Sequence, residues 1–157
     1  MKIQTTRFGE IEIPEEKFIS IPDGILGMPD AVTYVLLEHD SEGTPFKWLQ
    51  AVDNPDLAFI VMDPRLVVEN FQVDFEDELL QRYQIHDINE EFAFMSIVNI
   101  PRENPIAMTV NLRAPIIVHM KKRLGWQQIL PNEDYPIRHR LFPDPEEESE
   151  TSSQAGG

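Results

Sequence analysis

Cysteine is absent from all 157 residues. Disulfides, thiol nucleophiles and cysteine-ligated zinc sites are excluded together, and the composition suits a reducing compartment. No stretch approaches the ~18 consecutive apolar residues that a membrane-spanning helix needs. The opening MKIQTTRFGEIEI has no apolar core of about 7–15 residues, so no secretory signal is read there and a cytoplasmic location is expected. Positive charge is also scarce: 13 Lys and Arg stand against 28 Asp and Glu, a formal −15. Nucleic-acid binding relies on basic side chains neutralising phosphates, so direct binding to RNA or DNA is not expected. Two readings of the acidity stand. It steers the chain towards basic protein partners, or it serves solubility alone.

The motifs of common chemistry are missing too. There is no G-x-x-x-x-G-K-[ST], and GILGMP lacks both the lysine and the strand-to-helix setting of a phosphate loop. No G-x-S-x-G occurs. The four histidines, His39, His86, His119 and His139, are far apart, with no H-x-H or H-E-x-x-H spacing. A barrel that brought His39 and His119 together would make a metal site, but isolated histidines are more often core or surface residues. No catalytic residue, metal or cofactor is assigned.

What is present is a series of short apolar runs divided by turn chemistry. Residues 2–6 and 8–13 read as a first hairpin, 18–21 as a short strand ending at Pro22, and 32–39 as a further strand. PDGILGMPD, 22–30, packs two prolines and two glycines into nine residues and is a structured loop. FKWLQAVD and LAFIVMD flank Asn54-Pro55-Asp56, which suits a type I turn, so 46–53 and 57–63 form a hairpin. Leu57, Phe59 and Val61 alternate with Ala58, Ile60 and Met62. The second strand is therefore apolar on both faces and covered on both. DFEDELLQRYQI, 74–85, is the one convincing helix, with Asp74 as cap and acids in its first turn. Residues 92–100 pair with 106–112, and 114–120 with 124–130 through Lys121-Lys122-Arg123, a solvated turn. Eight or nine strands and one or two short helices indicate an all-β or β-rich fold, a single small barrel-like antiparallel domain over 1–142. The remaining PDPEEESETSSQAGG, 143–157, holds five acids and no base, and reads as a disordered acidic tail. Without it 23 acids face 13 bases, a formal −10.

Asp53 and Asp63 invite a carboxylate-pair reading, which needs convergence in a cleft. In the expected hairpin one sits at the turn and the other at the far end, about 20 Å away at roughly 3.3 Å per residue. Both are strand-end residues whose carboxylates bond nearby backbone N–H groups. Asn111, in NLRAP, has two readings: it satisfies buried backbone groups at a strand crossing, or it faces a partner. Trp48 and Trp126 are core or edge anchors.

GILGMPD at 24–30, FKWLQAVDNPDLAFIVMDP at 46–64, NLRAPIIV at 111–118 and GWQQIL with YPIRHRLF at 125–142 together resemble the FliW family of flagellar assembly factors. The family's loop has a G-[IL]-x-G-[FL]-P-E character, and Met28 and Asp30 depart from it conservatively. The resemblance spans 1–142 and does not account for the acidic tail. It implies a non-enzymatic barrel with two protein partners. One is flagellin, bound through its terminal helical region before export. The other is the RNA-binding translational regulator CsrA, whose sequestration frees flagellin mRNA until flagellin titrates the antagonist away. Such a partner switch is a competition between binding equilibria. Candidate partner contacts are Asp23, Met28 and Asp30 in the loop, the exposed acids Glu10, Glu12, Glu15 and Glu16, and the rim at Asp53 and Asp63. Two other classes compete: a small β-barrel enzyme with a metal or carboxylate site, and a generic acidic chaperone whose binding weakens steeply with salt.

Overall fold

The computed structural model describes residues 1–38 and 44–142. His39, and with it the His39–His119 metal reading weighed above, and the stretch from 143 onward read as an acidic tail lie outside the described residues. Among those residues the chain forms eleven strands: β1 Lys2–Thr5, β2 Gly9–Glu12, β3 Phe18–Ser20, β4 Thr33–Glu38, β5 Lys47–Ala51, β6 Ala58–Met62, β7 Phe92–Asn99, β8 Thr109–Val110, β9 Ile116–His119, β10 Leu124–Gln127 and β11 His139–Arg140. One α-helix, α1, spans Asp77–Arg82. No helix among the described residues is long and apolar enough to cross a membrane.

Seven strands close on themselves in the order β7-β6-β5-β4-β3-β10-β9, with β9 returning to β7. The first part of β7 carries β9 (Phe92↔His119 to Met95↔Ile116), while its last residues carry β8 (Val98↔Val110). Eight residues of β7 thus serve three neighbours, and the ring shuts without a free edge there. The barrel is antiparallel except at one seam, where β10 meets β3 in parallel through Leu124↔Ser20. The expected antiparallel barrel holds apart from that join. Its reason is the turn at 121–123: Arg123 adopts φ 52° and offers its carbonyl to Ser20 N–H at 2.9 Å. The same residue's guanidinium reaches Lys17 O at 2.7 Å. Lys122 Nζ holds the carbonyls of Tyr83 (3.3 Å) and Gln84 (2.9 Å). The basic triplet is the turn expected from the sequence, with Lys121 and Lys122 exposed, and Lys122 and Arg123 also clasp the neighbouring segments.

The barrel is filled, not hollow. Ile19, Tyr34, Leu49, Ala51, Val61, Met95, Ile116 and Val118 point inward from six of the seven strands. Period-two alternation then sends Ile117 and Trp126 outward, where Phe75, Leu79, Leu80 and Tyr83 of the α1 segment cover them. The helix is shorter than the expected 74–85, and Glu76, not Asp74, occupies the cap position, without a side-chain cap bond. Asp74 instead gives its carbonyl to Gln128 Nε2 at 2.6 Å. A third cluster, Met62, Phe71, Val98, Val110, Leu112, Leu130 and Tyr135, packs beyond β6 and β7. That cluster takes Ile60 and Met62 from one face of β6 while Phe59 and Val61 join the barrel interior. Both faces of β6 are therefore covered, as its sequence requires. The expected second hairpin 92–100/106–112 is reduced to two paired residues on the β8 side, because Asn104-Pro105 starts a 3-10 turn at Pro105–Ala107.

Candidate protein-interaction surface

The loop 22–30 has a closely specified backbone. Gly24 (φ 69°) and Gly27 (φ 88°) adopt left-handed conformations that other residues resist. Gly24 N–H bonds Ile21 O at 2.8 Å and Met28 N–H bonds Ile25 O at 2.7 Å, closing a tight reversal with Ile25 opposite Met28. A Cβ on Gly24 would lie 2.6 Å from Pro29 Cα, so the strands of the loop touch there. Ile25 is buried as an anchor. Gln127 ties the tip to the barrel, accepting from Leu26 N–H at 2.8 Å through Oε1 and donating to Ala114 O at 3.0 Å through Nε2.

This frame holds Leu26 and Met28 in solvent, 64 % and 44 % exposed. Neither is needed for the core, and a rigid loop loses little entropy when a partner covers them. Between the loop and α1 lies a cavity of about 240 Å3 lined by Asp23, Ile25, Leu26, Pro29, Leu79 and Trp126, among others. Asp23 bridges its walls: it accepts from Arg82 at 2.9 Å and from the Tyr83 hydroxyl. Burial, then the bond to Asp23, pushes the Tyr83 hydroxyl above its ordinary range. Tyr83 stacks on Trp126 with ring centres 5.5 Å apart, so the cavity floor is braced. Of the candidate contacts named from the sequence, Asp23, Met28 and Asp30 stand on this loop, and Asp23 lines the cavity. Leu26, Leu79, Arg82 and Gln127 were not named as contacts from the sequence, although an aliphatic residue between two glycines was a visible signal for the first.

The other candidate acids lie elsewhere. Glu10 and Glu12 are exposed on β2, and Glu10 pairs loosely with Lys2 at 3.6 Å. This hairpin docks on the β5–β6 turn through Thr6 N–H to Pro55 O at 2.9 Å, a Thr6 hydroxyl bond to Asp56, and Arg7 lying 4.1 Å over the Trp48 ring. Glu15 and Glu16 are exposed on the 3-10 turn before β3. Asp53 and Asp30 are exposed, Asp53 at the β5–β6 turn. Asp63, at the opposite end of β6, caps the 3-10 turn Pro64–Leu66 by accepting from Arg65 N–H at 2.9 Å. Burial works to raise its carboxyl, but the Arg65 side-chain and backbone bonds and its charge outweigh that and hold it below the ordinary range. Asp53 and Asp63 stand at opposite ends of the hairpin and do not converge; Asp63 bonds backbone as expected, while at the β5–β6 turn it is Asn54 whose Oδ1 accepts from Asp56 N–H at 3.1 Å.

His119 is buried, with Nδ1 accepting from Lys122 N–H at 3.1 Å. Its Nε2 sits 3.1 Å from the Glu90 carboxylate, close enough for an ion pair though not aligned as a hydrogen bond. Both ring nitrogens thus have protein neighbours. Among the described residues no three His, Asp or Glu side chains are grouped as a metal site. Asn111 satisfies backbone: Oδ1 accepts from Arg113 and Ala114 N–H, each at 3.1 Å. Arg113 Nε in turn holds Tyr135 O at 2.9 Å.

Comparison with known proteins places this architecture. The profile of the FliW protein family matches residues 2–141. The flagellar assembly factor FliW of Thermoanaerobacter pseudethanolicus (strain ATCC 33223 / 39E) is 42 % identical over 142 residues, covering 90 % of this chain and 93 % of its own. That of Syntrophus aciditrophicus (strain SB) is also 42 % identical over 142 residues, covering 90 % and 88 %. A crystal structure of the flagellar assembly factor FliW superposes with a TM-score of 0.79 at 36 % identity, covering 91 % of this chain and 98 % of that one. With the family profile, the curated relatives and the barrel all in agreement over nearly the whole length, the chain belongs to the FliW family of flagellar assembly factors.

Proposed function

We propose that this protein acts in the cytoplasm as a non-enzymatic partner switch in flagellar assembly. It binds flagellin before export, and when free it binds the translational regulator CsrA and lifts its block on flagellin mRNA. Flagellin and CsrA compete for the protein through linked equilibria, so accumulated flagellin shuts down its own synthesis. The observation that carries this reading is the preorganised loop 22–30, which presents Leu26 and Met28 to solvent on a family scaffold whose barrel interior is filled. A filled barrel leaves recognition to its surface, and a partly apolar surface suits protein partners. The formal charge of −15 supports a role against an RNA-binding protein, since an acidic body docked beside its RNA site lowers RNA affinity without occupying that site.

The test is a titration of the protein into a complex of CsrA with flagellin leader RNA at two salt concentrations. RNA release with formation of a protein–protein complex is expected, and added flagellin should reverse it. Absence of CsrA binding at both salts overturns the switch. Binding that disappears at moderate salt favours a generic acidic chaperone instead.

A further inference from the structure

We infer that the cleft between the loop 22–30 and α1 seats an amphipathic helix from the exported client, with an aliphatic side chain in the cavity and Lys or Arg on its flanks. This rests on the reading of the protein as a flagellin-binding switch and assigns the client, not CsrA, to this surface. The cavity of about 240 Å3 has the size to admit a single Leu, Ile or Met side chain beside Leu79 and Trp126. Leu26 and Met28, exposed next to it, extend the apolar contact along one side. A pocket with an adjoining apolar ridge matches the spaced anchors of a helix lying in a groove. The charge around it selects the flanks. Asp23 and Asp30 stand on the loop, and Glu76, Asp77 and Glu78 at the start of α1. The cations near the cleft are already engaged: Arg82 with Asp23 and Glu78, and Lys122 with the carbonyls ending α1. The rim is therefore net negative around an apolar floor, complementary to an aliphatic stripe edged with basic residues.

The experiment measures the affinity of the full chain for flagellin and for CsrA by calorimetry. It compares wild type, Leu26→Asp with Met28→Asp, and the control Leu66→Asp. Leu66 is 66 % exposed beside a separate cavity lined by Leu36, Met62 and Phe94. The loop variant should weaken flagellin binding by about tenfold or more, the loss typical of removed apolar anchors, while the control stays within about twofold. CsrA binding should change little in either. Should the double aspartate unfold the chain, Leu26→Ser with Met28→Ser is read in the same way. Unchanged flagellin binding in a folded loop variant overturns the assignment while leaving the proposed function intact. Loss of CsrA binding alone overturns it in favour of a CsrA contact. A wild-type chain that binds neither partner overturns the proposed function, and this inference with it.

Discussion

Gln50 is fully buried, and its side-chain amide converges on four carbonyls: Ala51 and Leu57 at 3.1 Å, Asn54 and Pro55 at 3.3 Å. It fixes the turn on which the N-terminal hairpin docks, and no backbone pattern would require a glutamine there. Gln50→Leu keeps volume but removes the donors, and should cost about 1–2 kcal/mol in denaturant unfolding, since several of these carbonyls retain a backbone donor. Gln50→Glu should cost more. It sets a carboxyl against four acceptors, which favours the neutral acid, so its folded pKa rises above the ordinary ~4.3. The variant's deficit should then widen as pH climbs from about 4 towards 7. A deficit that does not depend on pH would show that the side chain has left the site. Tyr34 carries the reverse lesson. Its ring fills the barrel, its hydroxyl has no hydrogen-bond partner among the described residues, and burial pushes it up to about 12. Below pH 10.0 the folded and unfolded chains both keep the proton. Between 10.0 and about 12 the unfolded chain loses it first, so this residue's contribution drains away across that window. Tyr34→Phe should be within about 0.5 kcal/mol of wild type at neutral pH and lose less stability on titration from pH 9 to 11.5.

At the scale of elements, the two glycines of the loop separate space from conformation. An added Cβ at Gly24 meets backbone at 2.6–2.9 Å, whereas at Gly27 it meets nothing within 4 Å. Both have positive φ. Gly27→Ala should therefore cost only the left-handed backbone penalty, about 1 kcal/mol, and preserve the loop. Gly24→Ala adds a backbone clash and should lower stability by more than about 2 kcal/mol. Equal losses would mean that φ alone governs the loop. The sequence displayed most of these elements, and for definable reasons. The 46–63 hairpin was legible because Asn-Pro-Asp sets the turn and alternation sets both faces of β6. The loop was legible through its glycines and prolines. The two-residue strand β11 and the shortening of β8 were not, because strands that brief have no periodicity and exist only where Val110 finds His139. The helix boundary was misplaced because Asp74 has a stronger claim on its carbonyl from Gln128 than its side chain has on a cap. The exposed Leu26 was not legible as a candidate contact, because the dominant signal in the composition is net charge. Charge is a property of the whole surface and points to no one place on it.

At the scale of the whole molecule, that charge becomes a mechanism with a test. Among the described residues the barrel is closed and filled, so the proposed antagonism of CsrA is argued from shape and field and not from a large rearrangement of this chain. Glu10, Glu12, Glu15, Glu16 and Asp53 are all exposed, and among the described residues Glu10 alone of the five has an ion-pair partner, at 3.6 Å. Converting these five to Gln or Asn takes the formal charge from −15 to −10 with little effect on folding. If the acidic field expels RNA, the variant should still bind CsrA but release leader RNA poorly, and the contrast should fade as salt shortens the ~10 Å screening length of 0.1 M solution. Titration of labelled leader RNA against wild type and variant, with CsrA binding followed in parallel, reads both quantities. Normal RNA release by a variant that has lost a third of its formal charge would rule out electrostatic exclusion. The proposed antagonism would then have to come from covering the RNA site or from a change of shape imposed on CsrA, since a partner that leaves the field, the access and the conformation of that site unaltered has no means of emptying it.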